Sequence, residues 1–92
     1  MNAAPPLHRA RERDAASAQA LLAARGARAT RARIDVLSVL LAADEALSHH
    51  DVERRLARSH DIDRVTLYRV LEWLTVQGLA HKVSGDDRIW RF

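Results

Sequence analysis

The stretch Asp63–Gly78, DRVTLYRVLEWLTVQG, constrains the fold of this chain more than any other. At about 100° per residue, Leu67, Val70, Leu71 and Leu74 fall on one stripe, the spacing of a helix with a single buried face. Val65, Tyr68, Arg69 and Glu72 fall on the other half. Asp63 suits the N-cap, because its short carboxylate reaches a free N–H of the first turn. Gly78 suits the left-handed position just past the end. A fold built around this segment must cover the apolar stripe with other elements. It must also leave a tyrosine and an arginine outside, near the N-terminal end of the helix. Taken alone, the segment fits an ordinary amphipathic core helix with a solvated Tyr68 and Arg69 equally well.

The flanking segments supply the covering faces. Met1 to Arg13 opens with Pro5-Pro6 and continues as an arginine-rich run with little to bury, so residues 1–13 are expected to be a disordered basic arm. From Asp14 as cap to Gly26 as stop, DAASAQALLAARG is a strong helix former with a narrow stripe around Ala18, Leu21 and Leu22, and the helix could lengthen backward through Arg9–Arg13. Thr30 then caps a helix from Arg31 to about Ala43. Its core stripe is Val36, Leu37, Leu40 and Leu41, with Ile34 beside it. Ser48 opens a third helix to about Ser59, paired with Asp51 in a short-armed capping box, and anchored by Val52 and Leu56. His60-Asp61-Ile62 form the turn into the Asp63 helix, with Ile62 tucked inward. Beyond Gly78, Ala80–Val83 and Arg88–Phe92 are β-prone and separated by Ser-Gly-Asp-Asp, a turn sequence. This predicts a small hairpin with Trp90 and Phe92 on one face and Ile89 and Arg91 on the other. A hairpin this short needs packing against the helices to persist.

The predicted fold is therefore mainly α: a leading helix, a three-helix core and a two-strand wing, the layout of a winged helix-turn-helix over residues 14–92. In that layout the last helix is the recognition helix, whose N-terminal residues reach base edges in the major groove. Charge agrees with a polyanion partner. Residues 1–33 carry seven arginines against Glu12 and Asp14, whereas the remainder of the chain is close to balanced. Arg28, Arg31 and Arg33 gather at the start of a helix, where positive side chains oppose the dipole and an anion would relieve them. The plain alternative is that these arginines only solubilise the chain.

Other classes of function find little support. Ninety-two residues allow one domain with a modest core. No nucleophile–base constellation, paired carboxylates or phosphate-cradling glycine loop stands out, so an enzyme is not expected. No apolar run approaches the ~20 residues of a membrane span, and the N-terminus has no apolar signal region. Cysteine is absent, which fits a cytoplasmic protein. His49 and His50 diverge by about 100° on a helix, and His60 and His81 stand apart. All are expected to be solvated, and no metal site closes from these residues.

From about Leu21 to Phe92 the sequence resembles the ferric uptake regulator family of metal-responsive repressors. Gly26-Ala27-Arg28-Ala29-Thr30-Arg31-Ala32-Arg33 resembles the family's Gly-x-[Arg/Lys]-x-Thr-x-x-Arg entry to its second helix. Leu47-Ser48-His49-His50-Asp51-Val52 resembles its short third helix. Val65-Thr66-Leu67-Tyr68-Arg69-Val70-Leu71 resembles its Thr-[Val/Leu]-Tyr-Arg-x-Leu recognition helix. Gly78-Leu79 with His81-Lys82-Val83 resembles the wing entry of the zinc-responsive branch.

The resemblance implies sequence-specific double-stranded DNA binding as the N-terminal domain of a repressor. Tyr68 would contact thymine methyls, and Arg69 a base edge or phosphate. Arg28 would enter the minor groove or touch the backbone, and Arg33 and Thr66 would hold phosphates. The chain departs from the family in lacking its second half, the dimerisation domain with His-rich and Cys-x-x-Cys metal sites. Ala46 stands where many iron-type members place a histidine, and Arg91 near a wing glutamate ligand. His81 matches a zinc-type ligand position without its partners. The expectation is either a DNA-binding fragment, the favoured reading, or a member that works without the second domain, in both cases with no cofactor of its own. Zinc or iron is expected only with the missing domain. The full protein is expected to be a homodimer, and the fragment a monomer. The alternative is a winged-helix module for protein contact, docking through the Trp73–Val76 edge or Trp90.

Overall fold

The computed structural model describes residues 6–57, 62–84, 87 and 89–92, with side chains from Arg13 onward. Four helices are followed by a hairpin: α1 (Pro6–Ala24), α2 (Arg31–Ala42), α3 (His49–Leu56), α4 (Arg64–Val76), β1 (Val83–Ser84) and β2 (Trp90–Arg91). This is a winged helix, mainly α, as the sequence predicts.

Each core helix begins on a side-chain oxygen. Thr30 accepts the Arg33 N–H at 3.2 Å at the start of α2. Ser48 accepts the Asp51 N–H at 3.1 Å, and Asp51 accepts the Ser48 N–H at 3.1 Å, closing the capping box of α3. Asp63 accepts the Thr66 N–H at 2.7 Å at the start of α4. Two helices end on glycines in the left-handed region, Gly26 at φ 66° and Gly78 at φ 76°. Both endings are Schellman motifs. Gly26 and Ala27 donate back to Ala23 and Leu22, and Gly78 and Leu79 donate back to Thr75 and Leu74.

The core is built from Ala18 and Leu22 of α1, Val36 and Leu37 of α2, and Val52 and Leu56 of α3. Leu67, Val70, Leu71 and Leu74 of α4 complete it, with Leu47 and Ala80 from the connections. The α4 stripe is thus the one read from the sequence. Ile62 packs against the core, while residues 58–61, which carry the end of the predicted third helix and most of the following turn, lie outside the described residues.

Three features differ from the sequence reading. Helix α1 begins at Pro6 rather than Asp14, so residues 6–13 continue the helix instead of forming an arm. Proline is well suited to a first helical turn, where its missing N–H has no partner to lose, and Arg9–Arg13 are good helix formers. Residues 1–5 lie outside the described residues. Second, Leu21 of α1 and Leu41 in the last turn of α2 are 38% and 41% exposed and do not join their core stripes. Third, the strands are shorter than predicted, and the hairpin has a further partner. Val83 pairs with Arg91 and Ser84 with Trp90. Leu47 and Phe92 then exchange both backbone hydrogen bonds, at 2.9 and 2.8 Å, and Ser48 bridges to Arg91. The residue before the α3 cap is therefore sewn to the end of the wing.

Candidate nucleic-acid interface

Burial of Leu67, Val70, Leu71 and Leu74 turns the opposite half of α4 outward. Val65 is 59% and Tyr68 50% exposed, and Arg69 and Glu72 are exposed beside them. Thr66 is half-buried in the first turn, its N–H held by Asp63. That bond, with Arg69 nearby, holds the Asp63 carboxyl below its usual range. Arg69 itself makes no hydrogen bond or ion pair with a described residue.

Two flanks border this face. On the first, Trp73 lies one turn along from Arg69, and the Arg33 guanidinium stacks over it, 3.7 Å from the ring centroid. Arg33 also donates to the Arg28 carbonyl at 3.0 Å. The Arg28 side chain is exposed at the same entry to α2. The structure thus brings Arg33 to the side of α4 that carries Trp73, one turn from Arg69, although the two arginines lie far apart in sequence.

On the second flank, Tyr68 rests on His49, with ring centroids 3.3 Å apart at 34°, and Phe92 stands 6.3 Å from the imidazole. Lys82 pairs with Glu72 at 2.8 Å and lies 4.9 Å above the Trp90 ring and 5.9 Å from that of Phe92. Arg64 pairs with Glu53 at 3.4 Å. Together these residues line a concave surface of about 580 Å³ between α3, α4 and the wing. Just ahead of β2, Asp87 accepts from Arg91 at 2.8 and 3.3 Å and from the Ile89 N–H at 3.1 Å. The Arg91 guanidinium, followed by the Ile89 N–H, lowers the Asp87 carboxyl to about 2.

His49 corrects the expectation of uniformly solvated histidines. Its Nε2 is buried and has no hydrogen-bond partner among the described residues. Burial pushes its pKa below the usual histidine value. No periodicity in the sequence signals this contact, because it depends on how α3 crosses the start of α4. His81 is exposed. Among the described residues no group of three or more His, Cys, Asp or Glu side chains is placed to hold a metal ion, so these residues do not fit a metal centre. No described helix is long and apolar enough to cross a membrane.

The arrangement is a helix offering an aromatic and a cation, with arginines on one flank and a wing on the other. No curated protein matches the sequence significantly. Among solved structures, the fold is similar to the ferric uptake regulator from Pseudomonas aeruginosa with manganese. The TM-score is 0.75 at 27% identity, covering 82% of this chain and 57% of that one. It is also similar to the Vibrio cholerae ferric uptake regulator, with a TM-score of 0.73 at 22% identity, covering 80% of this chain and 58% of that one. The second likeness is one of fold alone. The chain spans little more than half the length of either protein. Residues 24–92, most of the chain, match the family's sequence signature. On that match, the chain belongs to the ferric uptake regulator family.

Proposed function

We propose that this chain binds double-stranded DNA sequence-specifically, as the DNA-reading part of a metal-responsive transcriptional repressor. The observation that carries the proposal is the outward face of α4. Its buried stripe leaves Tyr68 and Arg69 exposed near the N-terminal end, between arginines and a wing. In the proposed complex α4 lies in the major groove, where Tyr68 meets thymine methyls and Arg69 a base edge or phosphate. Thr66 and Arg33 hold phosphates. One Arg33 N–H is occupied by the Arg28 carbonyl, and the stack on Trp73 orients the rest of the guanidinium. Arg28 enters the minor groove or touches the backbone. The Pseudomonas aeruginosa relative was solved with manganese. We place the sensed ion outside the residues described, and no step above passes through it. In a dimer, two such domains would address a pseudo-palindrome.

Salt dependence tests the proposal, because each phosphate contact releases counterions on binding. Neutralising Arg33 should lower affinity for specific and random duplexes alike and flatten the log–log salt slope by about 0.9. Arg28→Ala should weaken A·T-rich sites most, if its side chain senses groove width. Parent binding that is indifferent to salt, or unchanged slopes in both variants, would remove this surface from DNA and favour a protein partner.

A further inference from the structure

Tyr68 stands on an imidazole, and that imidazole is held with unusual firmness. His49 is the first residue of α3, directly after the Ser48 cap whose two bonds with Asp51 fix the turn. Leu47, two residues before it, is locked to Phe92 by a reciprocal pair of backbone bonds. The ring is therefore placed from both sides by backbone, with Tyr68 at 3.3 Å and Phe92 at 6.3 Å. Its buried Nε2 has no partner among the described residues. An apolar ring would fill the same place without an unpaired nitrogen, so packing alone does not explain a histidine here.

We propose that His49 is a positioning residue for DNA reading: the neutral imidazole holds the Tyr68 ring in the pose that meets a thymine methyl, and protonation releases it. The inference rests on the reading of α4 given above. An imidazolium donates from both nitrogens, and a buried N–H with no acceptor forces the ring to turn toward water or a carboxylate. The groups around it divide. On α3, Glu53 draws the cation and His50 opposes it. On α4, Arg64 opposes it, and Glu72 is engaged by Lys82. Burial is the largest influence and favours the neutral ring. Arg64 and His50 add to it, and Glu53 offsets part. The unfolded chain thus takes up a proton near 6.5 and the folded chain only at lower pH. The stack is complete above about 6.5 and lost as pH falls through the lowered value.

Tyr68 is the sole tyrosine of the chain, so its ring resonances are unambiguous. In the free parent protein they should shift in one transition below pH 6.5, coincident with the titration of His49. In His49→Phe, which keeps an aromatic support, that transition should vanish. In His49→Ala the resonances should move toward those of a solvated tyrosine at every pH. On DNA, parent and His49→Phe should prefer a thymine duplex over its deoxyuridine counterpart at neutral pH. His49→Ala should lose roughly fourfold of that preference, the worth of one buried methyl. Acidification should erase the preference in the parent but not in His49→Phe. Tyr68 resonances that ignore both substitutions, or a transition that persists in His49→Phe, would overturn the positioning role. Resonances that behave as stated, in a parent with no thymine preference, would instead overturn the DNA reading of α4.

Discussion

Leu71 and Val76 lie on the same helix and face opposite fates. Leu71 is fully buried, between the other helices, while Val76 is 79% exposed at the helix end. Truncating Leu71 to alanine leaves a cavity in a close-packed centre and should cost about 2–5 kcal/mol of unfolding free energy. Val76→Ala should stay within about 0.5 kcal/mol of the parent, since no described neighbour covers it. Urea melts of the two variants check the assigned helix orientation directly: equal effects would contradict it, and a larger loss in Val76→Ala would mean the faces are reversed. Residues of this kind were legible in the sequence, because four apolar side chains at helical spacing leave one choice of buried face. His49 and Arg33 were not legible as structural partners. The His49–Tyr68 and Arg33–Trp73 contacts join residues on different helices, and single-chain periodicity carries no information about such crossings. For Arg33 the consequence is that one side chain both braces α4 and faces the proposed DNA side.

The helices are short, and their beginnings carry much of their definition. Asp63 and Asp51 each accept backbone N–H groups at a helix start, and these bonds hold both carboxyls below the usual aspartate value. The unfolded chain therefore binds protons before the folded one as pH falls. The stabilisation is complete above about pH 4 and drains away below it as the folded carboxyls protonate. Asp63→Asn keeps a capping oxygen but cannot titrate, so it should fold normally at neutral pH and show a shallower acid limb than the parent. Ser48→Ala removes the acceptor of the α3 cap and should cost about 1 kcal/mol at neutral pH. Thermal melts from pH 6 to pH 2 would show both effects, and an acid limb unchanged in Asp63→Asn would contradict the capping role. The caps and the glycine stops were readable from the sequence, since each uses a residue type chosen for one local geometry. The start of α1 was not, because Pro5-Pro6 reads equally as a barrier and as a first turn. The pairing of Leu47 with Phe92 also escaped, because a single paired residue has no alternation to detect.

At the scale of the molecule, the helices form a platform and α4 is the element it displays. Helix α1 lies almost wholly ahead of the family match, yet it packs along α2 and contributes Ala18 and Leu22 to the core. The excess of arginine in residues 1–33 gives the chain its basic character, and Arg33 carries part of that charge to the edge of α4. Whether this surface reads sequence is settled by one comparison. A preferred duplex is first selected from a random pool with the parent protein. Parent, Tyr68→Ala and Arg69→Ala are then titrated against that duplex, its scrambled version and its deoxyuridine version, with circular dichroism confirming that each variant folds. Arg69→Ala should lose about 1–3 kcal/mol on the selected duplex and much less on the scrambled one. Tyr68→Ala should bind the thymine and deoxyuridine duplexes alike, where the parent distinguishes them. Folded variants that both match the parent on all three duplexes would contradict α4 as the recognition helix.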